Sequence, residues 1–359
     1  MPVKTNLLLL LILLALAGCD KPAESEQGFA GMGNHAEQFT PVTPGREFTF
    51  PADHGPHPGF RIEWWYITAN LKDEQGQNFG VQWTLFRNAL EAGSQGSGWN
   101  DGTIWMGHAA VTSATQHYAA ERYARGGIEQ AGVTLAPFSA WIDDWKLHST
   151  SPTADPLADM QLQATGTQFA YQLHLTSSKP LVLQGTQGFS QKSEQGQASY
   201  YYSQPYFQAE GELTIAGKRY QVSGPAWLDR EWSSQPLTAN QTGWDWFSVH
   251  LDSGEELMLY RMRQKQGEPY LTGTWINADG STQLLTAKDI SLSPLANTRV
   301  AGHDMPTRWS VKIPGKGLEI ITEALNPKAW MDLQIPYWEG PITLSGSHKG
   351  VGYLEMTGY

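Results

Sequence analysis

The chain has 359 residues, a formal net charge of −11 and a single cysteine, Cys19. The acidic balance provides no basic patch to pair with phosphates, which argues against a nucleic-acid partner. One cysteine excludes disulfides and Cys-type metal sites within the chain, so a hydrophobic core must stabilise it, and the length suffices for one large or two ordinary domains.

The N-terminal residues have the pattern of a bacterial lipoprotein signal. Lys4 supplies a positive charge, residues 7–16 form an unbroken apolar run, and residues 16–19 (LAGC) resemble the lipobox of lipoproteins. The run is shorter than the roughly 20 apolar residues that a membrane-spanning helix needs. We therefore predict a cleaved signal peptide over residues 1–18 and lipidation of Cys19. The alternative is an ordinary cleaved signal with a chance cysteine.

Residues 19–38 predict a flexible tether, because they are polar and glycine-rich and have almost nothing to bury. With Cys19 acylated, the rest of the chain would be held at a membrane and would face the periplasm. Asp20 resembles the signal that retains lipoproteins in the inner membrane of enteric-type bacteria, so the inner membrane is the expected location.

Beyond the tether, apolar and polar residues alternate with a period of two, which is typical of half-buried strands. The clearest runs are residues 61–70, 81–87, 169–175 and 309–313, and glycine-containing turn signals such as Asp252-Ser-Gly254 lie between runs. Many short strands with glycine-rich turns predict an all-β chain of antiparallel sandwiches or barrels.

The chain also contains an internal repeat. Residues 64–71 (WWYITANL) resemble residues 244–251 (WDWFSVHL), and each segment is followed by a turn and a strand containing Leu-aromatic-Arg. A second echo relates residues 171–183 to residues 309–320. Both echoes occur in the same order, which favours two tandem domains, residues 39–205 and 206–359, with the join near Tyr206. Alternatively, the alternation alone generates such matches.

Several motifs resemble the AttH-type and carotenoid 1,2-hydratase family over nearly all of the chain beyond the tether. They are residues 54–58 (HGPHP), 61–66 (RIEWWY), 188–192 (GFSQK), 226–232 (AWLDREW) and 352–359 (GYLEMTGY). The resemblance implies two tandem lipocalin-like antiparallel β-barrels and apolar ligands. Because members of this family often occur with ABC-transporter permeases, it also implies such a permease as a partner. It does not choose between binding and catalysis.

The fifteen tryptophans indicate an apolar pocket, because small barrels can enclose one ligand and aromatic side chains suit its walls. The residues predicted to bind a ligand are Trp64, Trp65, Tyr66, Trp232 and Trp246. Adjacent residues such as Trp64 and Trp65 must face opposite sides of a strand. The alternative is that these rings only fill the barrel cores.

The best candidates for chemistry are Asp229, Glu231, Trp232 and Tyr260. Charges beside Trp227 and Trp232 can be desolvated and their pKa values displaced, and a displaced carboxylic acid can protonate a C=C bond. The family resemblance implies a His-x-Trp pair and a later Tyr and Asp in the hydratases. Trp232 and Tyr260 match, whereas Arg230 and Met262 stand at the other two positions.

The departure at position 230 argues against hydratase chemistry, since arginine cannot shuttle protons near neutral pH. A buried Asp–Arg–Glu network joining the barrels is the alternative reading of this segment. Glu63, Arg87 and Arg230 are predicted to be structural polar residues. No metal site and no cofactor are predicted, because His54 and His57 flank a turn and lack a nearby third ligand.

Three functions are consistent with these patterns. The first is a periplasm-facing lipoprotein that binds an apolar or lipid-like ligand without converting it. The second is a hydratase-like or hydrolytic enzyme acting on an isoprenoid or lipid. The third is a structural envelope partner without a ligand. A pocket separates the first two from the third, and a polar group inside that pocket separates the second from the first.

Replacing Cys19 with alanine is expected to abolish membrane fractionation while leaving the fold intact, because no other residue in the sequence is predicted to anchor the chain. Fractionation followed by immunoblotting measures this, with wild-type protein as the reference. Persistent membrane attachment of the variant would contradict the lipoprotein prediction.

Overall fold

The computed structural model describes residues 38–93, 98–151, 155–177, 179–235 and 237–359. The predicted signal peptide, Cys19 and all of the predicted tether except Gln38 lie outside the described residues. Within those residues there is no helix of sufficient length and apolarity to cross a membrane.

The fold is almost entirely β, with 62% strand and 3% helix, as the alternation predicts. The first sheet, the first barrel hereafter, contains β1 (Ile62–Asp73), β2 (Asn78–Ala89), β3 (Thr103–Ser113), β4 (His117–Arg125), β5 (Ala131–Leu135), β6 (Phe138–Ile142), β7 (Trp145–Ser149), β8 (Asp159–Thr165), β9 (Phe169–Thr176), β10 (Val182–Leu183), β11 (Phe189–Gln191), β12 (Ala198–Ile215) and β13 (Lys218–Ser233).

The second sheet, the second barrel hereafter, contains β14 (Gln241–Leu251), β15 (Glu256–Gln264), β16 (Tyr270–Ile276), β17 (Thr282–Thr286), β18 (Ser291–Val300), β19 (His303–Ile313), β20 (Leu318–Ala324), β21 (Trp330–Met331), β22 (Tyr337–Gly346) and β23 (Gly350–Met356). Among the described residues, short 3-10 helices span Ala52–His54, Gly98–Asn100 and Pro314–Lys316.

The two sheets share one topology. The first runs β4-β3-β2-β1-β13-β12-β9-β8-β7-β6-β5 and the second runs β17-β16-β15-β14-β23-β22-β20-β19-β18, all antiparallel. In each, the opening strand pairs with the closing strand, which curls the meander into a nearly closed barrel in the first case and a half-barrel in the second. The prediction of two tandem lipocalin-like barrels is confirmed.

The first predicted echo matches this topology, since β1–β2 and β14–β15 are equivalent hairpins. The second echo is displaced by one strand: residues 171–175 lie in β9, whereas residues 309–313 lie in β19, the counterpart of β8. Alternation alone produced that match, because any two half-buried strands share it.

The predicted domain boundary at residues 205/206 does not coincide with the point at which the chain passes from the first sheet to the second. Tyr206 lies inside β12, a strand of the first barrel that leads directly into β13 of the same sheet. The chain changes sheet only between Ser233 and Gln241. The reason is that the first barrel closes through β13, so the second half of β12 and all of β13 follow the predicted boundary.

The two barrels pack side by side along a seam in which β1 lies against β23, β2 against β22 and β13 against β14. Each barrel has its own apolar core, and a third cluster that includes Tyr66, Trp227, Trp246 and Tyr353 fills the seam. β1 is therefore buried on both faces. The approach is close at Gly80 of β2, where a Cβ would come within 2.6 Å of Pro341.

An ion cluster inside the first barrel fixes the β1–β13 pair. The Glu63 carboxylate is fully buried and bonds Arg230, Arg87 and His57, while Arg230 also donates to the backbone carbonyl of Gly55. Burial alone would raise the pKa of Glu63, but the charges of Arg230 and Arg87 and the bond from His57 hold that pKa far below its usual range. Glu63 is thus a buried anchor for two arginines.

We expect Arg230→Ala to lower the free energy of unfolding by roughly 3–5 kcal/mol, because the Glu63 carboxylate would remain buried with part of its charge uncompensated. Urea denaturation at neutral pH measures this. Arg299→Ala is the matched control, since Arg299 pairs with Asp304 in solvent, and it should leave the midpoint nearly unchanged. Equal midpoints for the two variants would show that the buried cluster contributes little.

Candidate active site

A cavity of about 90 Å³ lies at one end of the seam between the barrels. Six aromatic side chains line it: Trp64, Tyr66, Phe86, Trp244, Trp246 and Tyr260. The opposite end of the seam forms a more open groove of about 900 Å³. Trp227, which has no exposed surface, lies between the two and contacts the Trp246 ring on one side and the His250 ring on the other.

The cavity forms because the two repeated hairpins face each other across the seam. Alternation along β1 directs Trp64 and Tyr66 toward the second barrel, and alternation along β14 directs Trp244 and Trp246 toward the first. The Tyr66 and Trp246 rings meet edge to face, with centroids 5.3 Å apart. The intervening residue of β14, Asp245, points away and pairs with Arg261 and Arg263.

Asp229 of β13 contributes a buried carboxyl group to the cavity. Its Oδ1 accepts hydrogen bonds from Ser203 (2.5 Å) and from the Trp227 indole (2.6 Å), and its Oδ2 accepts one from the Tyr201 hydroxyl (2.6 Å). The Trp246 indole in turn donates to the Tyr201 oxygen at 3.1 Å. Burial outweighs these bonds and raises the pKa of Asp229 to about 7.

Glu355 of β23 is the second carboxyl group with a raised pKa. The Trp244 indole donates to its Oε1 at 2.5 Å. Burial, with the negative charges of Asp229 and Glu231 nearby, raises the pKa of Glu355 to about 7. Two carboxyl groups on opposite barrels can therefore each gain or lose a proton near neutral pH.

Glu231, the third carboxyl group, carries an ion pair. The Lys192 ammonium lies 3.0 Å from its Oε1, and the Ser199 hydroxyl also donates to that carboxylate. Lys192 further lies 4.4 Å from the centre of the Tyr260 ring. The Tyr260 hydroxyl itself has no hydrogen-bond partner among the residues that the structure describes, although the side chain is only 7% exposed.

Six of the predicted site residues come together in this cavity: Trp64, Tyr66, Asp229, Glu231, Trp246 and Tyr260. Trp65 and Trp232, predicted to bind a ligand, do not line it. Both point into the first barrel, where Trp232 stacks on His57 at 3.9 Å and Trp65 lies beneath the Arg230 guanidinium at 3.8 Å. Trp232 is likewise separated from the proposed chemistry, because it lies on the face of β13 opposite to Asp229.

Arg230 shares the inward face with Trp232. Asp229, Arg230 and Glu231 are all buried, but they do not form one network, since the two carboxyl groups face the seam while Arg230 pairs with Glu63 inside the barrel. The arginine at position 230 therefore stands outside the cavity. Its inability to shuttle protons is no argument against acid–base chemistry at Asp229.

Several polar or aromatic contributors to the site were not among the predicted site residues, including Phe86, Lys192, Tyr201, Trp244 and Glu355. Lys192 and Glu355 occur in two motifs that carry the family resemblance, residues 188–192 and 352–359. Membership of those motifs is the sequence feature from which they could have been predicted as site residues. Trp244 opens the repeat of the Trp64 segment. No group of three or more His, Cys, Asp or Glu residues is placed to hold a metal ion in the part of the chain that the structure describes.

The raised pKa of Asp229 predicts a pH-dependent stability. A folded-state pKa near 7 against an ordinary value of 3.8 means that the folded chain binds more protons between these limits, so wild-type stability falls as the pH rises through that window. Asp229→Asn should reduce this fall, by at most about 4 kcal/mol. Denaturation at about pH 5 and pH 8 measures it, with Asp252→Asn, an exposed residue, as the control. Identical pH dependence in all three proteins would contradict the assignment.

The AttH-like family model matches residues 41–359. Among solved structures, an AttH-type protein from Nitrosomonas europaea is 33% identical with a TM-score of 0.78, covering 89% of this chain and all of that one. Kievitone hydratase from Nectria haematococca shares the fold at 17% identity and a TM-score of 0.66, covering 86% of this chain and 92% of its own.

A third structure, CghA with Sch210972, is 12% identical with a TM-score of 0.54 and covers 89% of this chain and 96% of its own. No curated protein sequence matches the chain. The likeness to the last two structures extends to the fold alone. With the family model covering nearly the whole described chain and a relative at 33% identity, the chain belongs to the AttH-like family.

Proposed function

We propose that the chain is a hydratase-like enzyme that adds water to, or removes it from, a C=C bond at the apolar end of its substrate. The observation that carries this proposal is the pair of carboxyl groups, Asp229 and Glu355, with pKa values near 7 in an aromatic cavity. A pKa near the working pH is what a general acid or base requires.

Glu355 is the proposed acid. Among the described residues, only its Oε1 accepts a hydrogen bond, from the Trp244 indole, so a proton on the carboxyl group can be presented to the cavity. Transfer of that proton forms a C–H bond at one alkene carbon and leaves positive charge on the other. The aromatic rings of Trp64, Tyr66 and Trp246, which line the cavity, would stabilise that charge without capturing it.

Asp229 is the proposed base. Its Oδ1 is saturated by two donors, whereas Oδ2 accepts one bond and retains a lone pair. A water molecule held there, with the unpartnered Tyr260 hydroxyl as a second contact, would form the new C–O bond and give its proton to Asp229. Return of that proton to Glu355 through solvent completes the cycle, and the reverse sequence is dehydration.

The cavity limits which part of a substrate can react. Its volume of about 90 Å³ corresponds to the share of roughly three water molecules in the liquid. The reactive end of an isoprenoid or similar lipid fits, whereas a long chain must extend through the rim that Lys192, Gln235 and Leu237 form.

Binding without conversion is the second candidate. The observation in its favour is the aromatic lining, which would hold an apolar ligand whether or not a proton moves. We also propose, from the sequence pattern and the family resemblance alone, that the protein is a lipoprotein facing the periplasm and that an ABC-transporter permease is its partner.

The test is incubation of the protein with short branched isoprenoid alkenes in H₂¹⁸O, followed by mass spectrometry. We expect an ¹⁸O-labelled alcohol, and a loss of roughly 10²-fold or more for Glu355→Gln and for Asp229→Asn. Because the acid must be protonated and the base ionised, the rate should peak near neutral pH and fall on both sides. Asp252→Asn is the control variant and should retain wild-type activity. Alkenes that bind yet are recovered unlabelled would support the binding candidate instead.

A further inference from the structure

More acidic than basic side chains line the cavity. Three carboxyl groups line it, Asp229, Glu231 and Glu355, against one ammonium group, Lys192. The nearby arginines do not correct the balance, because Arg230 points into the first barrel and Arg261 and Arg263 pair with Asp245 on the far side of β14. Once Asp229 and Glu355 ionise, the cavity attracts positive charge.

Lys192 shows how this cavity accommodates a cation. Its ammonium nitrogen lies 4.4 Å from the Tyr260 ring centre and 5.0 Å from the Tyr201 ring centre, while Glu231 pairs with it at 3.0 Å. An ammonium ion held between ring faces and a carboxylate is the arrangement of a cation–π site. The Lys192 ammonium group is thus the cation of such a site within the chain itself.

The inner part of the cavity repeats these elements without a cation among the described residues. Trp64, Tyr66 and Trp246 contribute aromatic rings to its lining, and Asp229 and Glu355 contribute carboxyl groups. Tyr260, a residue that is 7% exposed, lines the same space, and its hydroxyl has no hydrogen-bond partner in the described chain. Aromatic rings, carboxyl groups and a hydroxyl thus line one cavity, and this is the combination of groups that a cation–π site uses.

We propose that the inner cavity binds a small alkylammonium cation, and specifically a trimethylammonium group. The four heavy atoms of such a group suit a cavity of about 90 Å³, and its diffuse charge suits aromatic faces better than a hydrated ammonium does. The proposal rests on the proposed function for the identity of the site: the ligand's positive charge occupies the place where charge develops on the protonated alkene.

The test is calorimetric titration of the full chain with choline and with 3,3-dimethylbutan-1-ol, which has carbon in place of the charged nitrogen. At about pH 8 we expect choline to bind about tenfold or more tightly than the neutral alcohol. At about pH 5, where Asp229 and Glu355 are protonated, that preference should fall severalfold. Equal or weaker binding of choline at pH 8 would overturn the proposal.

Variants locate the site. Glu355→Gln should reduce the preference for choline over the alcohol, whereas Asp252→Asn, the same charge change at the other end of the seam, should leave it unchanged. Equal losses in both variants would mean that net charge, not this cavity, attracts the cation. The comparison between the two ligands on wild-type protein remains decisive if a variant fails to fold.

A free metabolite and a lipid headgroup both carry a trimethylammonium group, and phosphocholine separates them. Binding tighter than that of choline points to a headgroup, and weaker binding points to a free cation repelled by the cavity through its phosphate. If the protein converts an alkene to labelled alcohol but does not bind choline, the proposed function stands and the cation site is rejected. If it binds choline but converts no alkene, the cation site stands and the proposed function is rejected.

Discussion

The removal of water from carboxyl groups at the seam between the barrels is the constraint on which the rest of the structure depends. Asp229 and Glu355 come from different barrels, and burial is the largest cause that raises the pKa of each. Moving a carboxylate away from water is costly unless donors replace the water. The indoles of Trp227 and Trp244, with Ser203 and Tyr201, supply part of that replacement, and the remaining deficit appears as pKa values near 7.

Strand β13 contributes to both the first barrel and the cavity, because its side chains alternate between its two faces. One face of β13 carries Arg230 and Trp232 into the first barrel, where Glu63 and His57 hold them. The other face carries Asp229 and Glu231 into the seam. Since each inward residue fixes the strand position of its outward neighbours, the buried ion cluster aligns the cavity carboxyl groups although it touches neither of them.

Much of the fold follows from local patterns in the sequence. Strands were predictable because a period of two is a local property, and the equivalence of β1–β2 with β14–β15 was predictable because both hairpins retain their aromatic residues. The same period of two, applied to residues 229–232, places the side chains of Trp232 and Asp229 on opposite faces of the strand. Matching a family motif residue by residue does not reveal this difference. A motif records which residues occur together and not the face on which each lies.

The rest of the site depends on packing that no local pattern contains. Glu355 lies more than a hundred residues from Asp229, and the seam alone brings them near each other. The join was misplaced for a related reason: β12 and β13 belong to the first barrel because β13 pairs with β1, a contact between residues far apart in the chain. Alternation indicates that a strand exists but not which strand it pairs with.

Trp227 has one further consequence. It has no exposed surface and lies between the cavity and the larger groove, with its indole nitrogen bonded to Asp229. The cavity is therefore a blind pocket on that side, and a molecule must enter and leave past the rim residues Lys192 and Leu237. A chain admitted in this way would advance end first until the Trp246 ring, which lines the cavity and packs against Trp227, stops it. The distance from that ring to the two carboxyl groups would then act as a ruler, selecting the bond a fixed number of atoms from the terminus.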